Sequence, residues 1–146
     1  MRRTLVALAA VLAMVVAPTA AQAAPGHGAT KVGLQVQAFG SCQTGPEGGV
    51  PAGGFAIIHS TGSGKAVAVL SLKRLTPNHA YDVALVQTPS GTDCFTPDAI
   101  VRTNTRGNGT VNIQERLRPG TTGVFLLVQP SDDNGFIHST PLVTVR

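Results

Sequence analysis

From about residue 31 onward, the chain alternates short β-prone runs with clusters of glycine, proline, serine and asparagine. Short runs bounded by turn residues favour strands, and their regular spacing is typical of sandwiches and barrels. No run in this region carries an apolar period of 3.6 residues that is long enough for a helix. The sequence therefore predicts an all-β fold with eight strands, at residues 31–39, 54–59, 65–73, 81–88, 99–105, 110–117, 123–129 and 141–145.

Alternating apolar residues identify two of these runs as strands with one buried face, because successive side chains of a strand point to opposite sides. The shared faces are Ala66, Ala68, Leu70 and Leu72 in one run and Tyr81, Val83 and Leu85 in the other. Residues 124–128 are apolar on both faces, which is typical of a central strand. Two stacked sheets, a β-sandwich, would bury these faces.

Turn chemistry predicts the connections between several strands. Residues 60–64 favour a hairpin loop, and residues 45–54 (GPEGGVPAGG) favour a surface loop because they contain few apolar side chains. Residues 106–109 (Arg-Gly-Asn-Gly) contain the Asn-Gly pair that type I′ hairpin turns prefer. We therefore expect a tight hairpin between the strands on either side of them.

The first residues have the three parts of an export signal. Arg2 and Arg3 precede an apolar stretch of thirteen residues (5–17), which is followed by Pro18 and the small-residue site Ala21-Gln22-Ala23. The stretch would reach about 20 Å, short of the roughly 30 Å hydrocarbon core of a bilayer. We interpret residues 1–23 as a cleavable signal peptide, 24–30 as a flexible mature N-terminus and 31–146 as one β-sandwich domain. The mature protein is then expected to be secreted, in the medium or at the cell wall, and not in a membrane.

The two cysteines, Cys42 and Cys94, both follow the predicted signal peptide. Export delivers them to an oxidising compartment, where two thiols of a small domain usually pair. We predict a disulfide between them. It would close a loop of about fifty residues and contribute about 4 kcal/mol on the chain-entropy account.

The segment Leu75-Thr76-Pro77-Asn78-His79-Ala80-Tyr81 resembles the corner of fibronectin type III and immunoglobulin-like sandwiches. In those folds a tyrosine hydroxyl hydrogen bonds back to the backbone at a strand-to-strand arch. The resemblance implies an immunoglobulin-like sandwich of about seven to eight antiparallel strands, with a structural corner at Leu75, Pro77 and Tyr81. Four further predicted strands follow Tyr81's strand, where a fibronectin module would have one. The chain also resembles small secreted β-sandwich proteins of high-GC Gram-positive bacteria.

Catalytic and cofactor chemistry has little support in the sequence. His27, His59, His79 and His138 lack the spacing of metal ligands, so we expect no metal. We interpret His79 as a solvent-facing turn residue, and His59 and His138 as strand ends. No nucleophile motif is present, and the seven acidic residues sit mostly in turns. We expect no enzyme activity and no cofactor.

Several classes of partner are also disfavoured. Without Arg2 and Arg3, nine basic residues face seven acidic ones, and no basic run alternates with aromatics, so nucleic-acid binding is not expected. The chain has no tryptophan and one tyrosine, which argues against a platform for flat polysaccharides. We interpret the five phenylalanines as core residues, and for Phe95 and Phe136, which sit at loop edges, exposure remains an open alternative.

These observations favour a non-catalytic extracellular module that binds a protein, a glycan or a small molecule. Its predicted contact surface is the loops 43–54 and 89–97, which a Cys42–Cys94 disulfide would bring together. Two alternatives remain open. A small-molecule carrier, similar to the apoproteins that sequester secreted antibiotics, predicts a deep apolar cleft lined by Phe or Leu. A secreted protease inhibitor predicts a rigid, convex loop with an accessible arginine, such as Arg116 or Arg118.

Overall fold

The computed structural model describes residues 28–37, 42–44, 49–89, 94, 96–132 and 135–145. Residues 1–27, which include the predicted signal peptide and most of the predicted flexible segment, lie outside these ranges. The described residues form nine strands: β1 (Thr30–Gln37), β2 (Pro51–Ser60), β3 (Lys65–Leu72), β4 (Ala80–Thr88), β5 (Ala99–Arg102), β6 (Gly109–Arg116), β7 (Gly123–Pro130), β8 (Ile137–Ser139) and β9 (Val143–Thr144).

The all-β prediction is confirmed, and each of the eight predicted runs contains a strand. The sequence analysis missed β8, whose three residues Ile-His-Ser are all buried and show no alternation. It also began β2 too late: the loop predicted at 45–54 overlaps the strand, which starts at Pro51 and includes two glycines. Gly53 and Gly54 are needed there because a Cβ atom at either would collide with the carbonyl oxygen of Lys73 or Ser71 on the neighbouring chain segment.

The strands form one antiparallel sheet that is nearly closed, like a barrel. Their order is β5-β4-β7-β8-β1-β2-β3-β6, and β9 pairs with the end of β7. The short strand β8 joins two larger groups of strands, because it pairs with β7 on one side and β1 on the other. The terminal strands β5 and β6 are consecutive in the chain, so their connection brings the two ends of the sheet together.

The hairpin predicted at Arg106–Gly109 is wrong, because β5 pairs with β4 and β6 pairs with β3 rather than with each other. The Asn104 side chain organises the connection instead: its Oδ1 accepts the N–H groups of Arg106 and Asn108 at 2.9 and 3.0 Å. The positive φ falls on Gly107, at 72°, and not on the Asn-Gly pair. A side chain that caps a loop makes the I′ geometry unnecessary.

The core of the protein fills the interior of this nearly closed sheet. Its fully buried side chains come from both groups of strands and include Leu34, Ile58, Leu70, Leu72, Val83, Leu85, Val124, Leu126 and Val128. Strand β4 runs through it, with Tyr81 near one end and Gln87 near the other. Six residues of strand separate these two by about 20 Å. The two side chains therefore occupy opposite ends of the interior.

A second apolar cluster lies on the opposite face of β4, β7 and β8. This outer cluster consists of Ala84, Val86, Cys94, Phe125, Leu127 and Ile137, with Cys42 packed against it. The predicted disulfide is confirmed: Cys42 and Cys94 are bonded, with their Cα atoms 5.7 Å apart. The bond holds two loop segments against the outside of the sheet.

Candidate functional site

A cleft of about 280 Å³ opens at the end of the sheet that contains Tyr81. Its walls come from the β3–β4 connection, from β4 and from the β7–β8 region. The lining residues are Arg74, Leu75, Thr76, Tyr81, Pro130, Gly135, Phe136 and His138. They combine apolar side chains with three polar ones, Arg74, Thr76 and His138, at the mouth of a nearly closed sheet, which is one of the places where small-molecule sites occur.

Tyr81 lines the cleft and also anchors the segment Leu75–Tyr81, which the sequence analysis compared with an immunoglobulin-like corner. The N–H of Thr76 donates to the Tyr81 hydroxyl at 3.2 Å. The carbonyl of Thr76 accepts from the Thr103 hydroxyl at 2.6 Å. Leu75 packs partly buried against the core, whereas Pro77 is exposed. These contacts fix the β3–β4 connection, and with it the position of Arg74.

Arg74 carries the one full charge among the described residues that line the cleft. Its φ is 56°, in the left-handed region that costs a non-glycine residue about 1 kcal/mol or more. Its N–H donates to Asn108 Oδ1 at 3.2 Å, and the next residue, Leu75, donates to the Gly107 carbonyl at 3.1 Å. The β5–β6 connection thus holds Arg74 in a conformation that a glycine would adopt without strain.

His138 lies on the core side of β8. It pairs in register with Val128 of the core, and residues directly opposite in antiparallel strands point to the same side. The residue is 8% exposed, and its Nδ1 is buried with no hydrogen-bond partner among the described residues. Burial lowers the pKa of the imidazole below its ordinary value of 6.5, so the ring is neutral at pH 7. Native structures rarely leave a buried polar nitrogen unpaired.

Phe136 is the most exposed apolar side chain of the cleft, at 69%. The sequence analysis placed the phenylalanines in the core, and the described ones divide into three cases. Phe125 is buried in the outer cluster, Phe55 is half-buried beneath the Lys31 ammonium, which lies 4.3 Å from its ring centre, and Phe136 is exposed. Phe39 and Phe95 lie outside the described residues.

His79 borders this end of the sheet and is not the solvent-facing turn residue that we expected. Its ring packs edge-on against Tyr81, with the ring centres 5.1 Å apart. Its Nε2 lies 3.2 Å from Asp132 Oδ1. The two atoms lie within ion-pair distance, and the contact does not have the geometry of a hydrogen bond. The Asp132 carboxylate therefore has a partner in His79, outside the cleft.

The opposite end of the interior is closed by Gln87, which is 1% exposed. Its Nε2 donates to Glu115 Oε2 and to the Arg116 carbonyl, both at 3.0 Å. Its Oε1 accepts from the Arg118 N–H and from the Thr121 hydroxyl, both at 2.9 Å. Both donors and both acceptor positions of this amide are used, so Gln87 closes this end of the interior as a structural plug.

The two arginines proposed for an inhibitor loop lie beside this plug. Arg116 ends β6 and pairs with Lys65 of β3. Arg118 is half-buried and begins a turn in which its carbonyl accepts from the Thr121 N–H at 3.1 Å, with Gly120 at a φ of 85°. A second cavity of about 290 Å³ follows this turn, lined by Pro89, Arg118, Pro119, Gly120 and Thr121.

The contact surface predicted from loops 43–54 and 89–97 lies partly outside the described residues, because residues 45–48, 90–93 and 95 are not among them. Within those loops the structure describes Gln43, Thr44, Cys94 and residues 49–54, 89, 96 and 97. The Gln37 side-chain amide donates to the Thr44 carbonyl at 3.1 Å, which ties one loop to β1. Cys94 belongs to the outer cluster and Cys42 packs against it, whereas Ala52 packs against the core and the cleft opens at the end of the interior.

Across the described ranges, no three His, Cys, Asp or Glu side chains come together as a metal site. The part of the chain that the structure describes also contains no helix with the length and apolar character of a membrane span.

The sequence analysis missed three residues of the cleft: Arg74, Phe136 and His138. None carries a local signal, because each comes from a different connection or strand and the cleft exists only once β3, β7 and β8 are packed. Comparisons with protein-family models, with curated proteins and with solved structures found no match.

Proposed function

We propose that the chain is an exported, non-catalytic binding protein that holds a small organic molecule in the cleft beside Tyr81. The observation that carries the proposal is the make-up of that cleft: an exposed aromatic ring, a cation and an imidazole whose Nδ1 has no partner among the described residues line the open end of a β-sheet interior. The volume of about 280 Å³ is close to the lower end of the roughly 300–1,000 Å³ of small-molecule sites. It suits a single-ring compound.

The carrier alternative predicts a deep apolar cleft lined by Phe or Leu, and the lining of this cleft supports it in part. Phe136, Leu75 and Pro130 supply apolar wall, whereas the cleft is open rather than deep and also carries Arg74, Thr76 and His138. The inhibitor alternative has no comparable support. It requires an arginine that is both exposed and on a protruding loop, whereas Arg116 is in a paired strand and Arg118 is half-buried in a turn.

Export is supported by two independent features. The first residues have the pattern of a signal peptide, and a disulfide joins Cys42 to Cys94, which is typical of proteins outside the cytoplasm. We propose that residues 1–23 are removed and that the domain works in the medium or at the cell wall. We also retain the immunoglobulin-like relationship as a proposal: the Thr76–Tyr81 hydrogen bond favours it, while the joining strand β8 departs from the two separate sheets of that family.

A fragment screen by protein NMR tests the function. The oxidised protein beginning at Ala24, labelled with ¹⁵N, is titrated with a set of neutral and charged single-ring compounds. We expect at least one compound to shift the amide signals of Leu75, Tyr81 and His138 together. The variant Phe136→Ala should weaken that binding several-fold. Ile100→Ala, which truncates a similarly exposed side chain (61% against 69%) outside the cleft, should not.

Two outcomes would contradict the proposal. Shifts confined to residues 43–54 and 89–97 would move the binding surface to the disulfide-linked loops. Equal weakening by Phe136→Ala and Ile100→Ala would show that general surface hydrophobicity, rather than the cleft, holds the compounds.

A further inference from the structure

We propose that the cleft selects an organic anion, a carboxylate carried on a flat apolar group, with Arg74 binding the carboxylate and Phe136 packing on the flat group. This inference rests on the proposed function, because it names the chemical class of the ligand for the same cleft. Three observations carry it: the charge of the lining, the conformation of Arg74 and the exposure of Phe136.

The charge balance of the described lining favours an anion. Arg74 is its one charged side chain, and the remaining described lining residues are neutral or apolar. Among the described residues, two nearby acids lie outside the lining and have partners there: Asp132 Oδ1 is 3.2 Å from His79 Nε2, and Asp82 accepts the Ser131 hydroxyl at 2.6 Å. A guanidinium presents a planar pair of N–H donors that matches a carboxylate, so an anion entering the cleft would meet a complementary group.

The backbone of Arg74 is held in place before any ligand arrives. Its left-handed φ of 56° is maintained by the hydrogen bond to Asn108 and by the Leu75–Gly107 hydrogen bond beside it. Residues in such sparsely populated conformations concentrate at binding sites, where the surrounding structure offsets the strain. A glycine would be the less strained residue here, so the presence of arginine agrees with a role for its side chain.

Phe136 and His138 indicate the chemistry of the uncharged part of the ligand. An aromatic ring that is 69% exposed has most of its face free to pack against another flat group, an arrangement that aromatic pairs prefer. His138 lines the same cleft and contributes hydrogen-bonding capacity without charge at neutral pH. Together with Leu75 and Pro130, these side chains fit a ring that carries one carboxylate better than they fit a small inorganic anion.

Three probes of nearly equal shape test the choice of charge: benzoate, benzamide and benzylamine. Each is titrated into the oxidised protein and followed by the amide signals of Leu75, Tyr81 and His138. We expect benzoate to bind about three- to tenfold more tightly than benzamide, and benzylamine to bind least. Raising the salt concentration should reduce the advantage of benzoate, since Arg74 is exposed and screened by ions.

Substitutions at Arg74 assign the preference to its side chain. Arg74→Gln should bring benzoate binding down to the level of benzamide and leave benzamide unchanged. Arg74→Gly should do the same while keeping or raising the thermal midpoint, because it relieves the left-handed conformation. Arg102→Gln removes an exposed arginine of β5 that does not line the cleft, and it should change neither ligand.

The outcomes separate this inference from the proposed function. If benzamide binds as tightly as benzoate, or benzylamine binds most tightly, the anion inference is overturned while the cleft remains a binding site. If Arg102→Gln weakens benzoate as much as Arg74→Gln does, the preference comes from overall charge, and the inference is again overturned. If none of the three probes shifts the cleft residues at millimolar concentration, the anion inference is overturned, whereas the proposed function fails only if the whole fragment set leaves those residues unshifted.

Discussion

The side-chain amide of Gln87 at the end of β4 donates to the carboxyl group of Glu115 on β6, 3.0 Å away, across the seam that the sheet leaves without backbone pairing. The strands β5 and β6 lie at the two ends of the strand order, so no ladder of backbone hydrogen bonds joins them. Side chains close this seam instead, and the same contact closes one end of the core. Substitutions at Gln87 or Glu115 should therefore change the free energy of unfolding.

Replacing Gln87 with leucine should destabilise the fold strongly. The substitution removes four hydrogen bonds and leaves the Arg118 N–H and the Arg116 carbonyl without their partner. Unpaired buried groups cost about 1–3 kcal/mol each, so we expect a loss of about 2–4 kcal/mol in the free energy of unfolding. Urea denaturation measures it. Gln114→Leu, at an exposed position on β6, is the matched control and should stay within about 0.5 kcal/mol of the wild type.

Glu115 makes the stability depend on pH. Burial raises the pKa of its carboxyl above the ordinary 4.5, with further contributions from the nearby Asp98 carboxyl. The folded state therefore keeps a proton that the unfolded state has released, and stability falls as the pH rises from 4.5 through the raised pKa. Glu115→Gln should remove this fall and raise the thermal midpoint at pH 7, while the difference from wild type shrinks toward pH 4.

Asp98 supplies the control for that prediction. Its Oδ2 accepts the Leu85 N–H at 2.6 Å, and an asparagine oxygen could still accept it. In the Asp98→Asn background, Glu115→Gln should give a smaller gain, because one source of the raised pKa is gone. A loss of stability on Glu115→Gln at pH 7 would contradict this account and would mean that the carboxylate is net stabilising there.

The ionisation of His138 makes the free energy of unfolding depend on pH in the direction opposite to that of Glu115, at acidic pH. Its pKa is lowered by burial, so between that value and 6.5 the unfolded chain binds a proton that the folded protein excludes. The contribution of neutral His138 to the free energy of unfolding should therefore be fully present above about pH 6.5 and decrease as the pH falls below it. Urea midpoints between pH 5 and pH 8 measure this slope, and His138→Asn should flatten it. An NMR titration that places the imidazole midpoint above 6.5 would overturn the prediction.

Replacing Tyr81 in the corner should lower the free energy of unfolding only modestly, and replacing Thr103 beside it should lower it more. Tyr81→Phe removes the acceptor of the Thr76 N–H, for about 1 kcal/mol. Thr103→Val removes a buried hydroxyl that donates to the Thr76 carbonyl and accepts the His79 N–H, for about 1–3 kcal/mol. Thr110→Val on exposed β6 is the control. Equal effects at Thr103 and Thr110 would show that the hydroxyl network does not stabilise the corner.

Removing the disulfide should lower the free energy of unfolding by about 4 kcal/mol, since Cys42 and Cys94 are 52 residues apart. The double variant Cys42→Ser/Cys94→Ser tests this by urea denaturation, with the reduced wild type as its counterpart. The two should agree within about 1 kcal/mol. A much smaller loss in both would mean that the outer cluster holds the loops without the bond.

The predictable part of this fold is the part that local chemistry encodes. The faces formed by Ala66, Ala68 and Leu70, and by Val83 and Leu85, are buried in the core as the alternation indicates. Turn residues placed the hairpin between β2 and β3, where the Thr61 N–H donates to the Lys65 carbonyl at 2.8 Å. Where residues distant in the chain bury a polar residue, as in β8 or at Gln87, the local sequence pattern does not predict that burial.

By itself, the amino-acid sequence determined the all-β class, the position of eight strands, and two cysteines that could pair. Those features depend on side-chain alternation, turn propensity and the chemistry of single residues. Only the tertiary structure decided that β8 joins the two groups of strands, that β5 and β6 do not form a hairpin, and that Arg74, Phe136 and His138 share a cleft. Their juxtaposition is set by contacts between residues far apart in the chain, whose pairing no local propensity specifies.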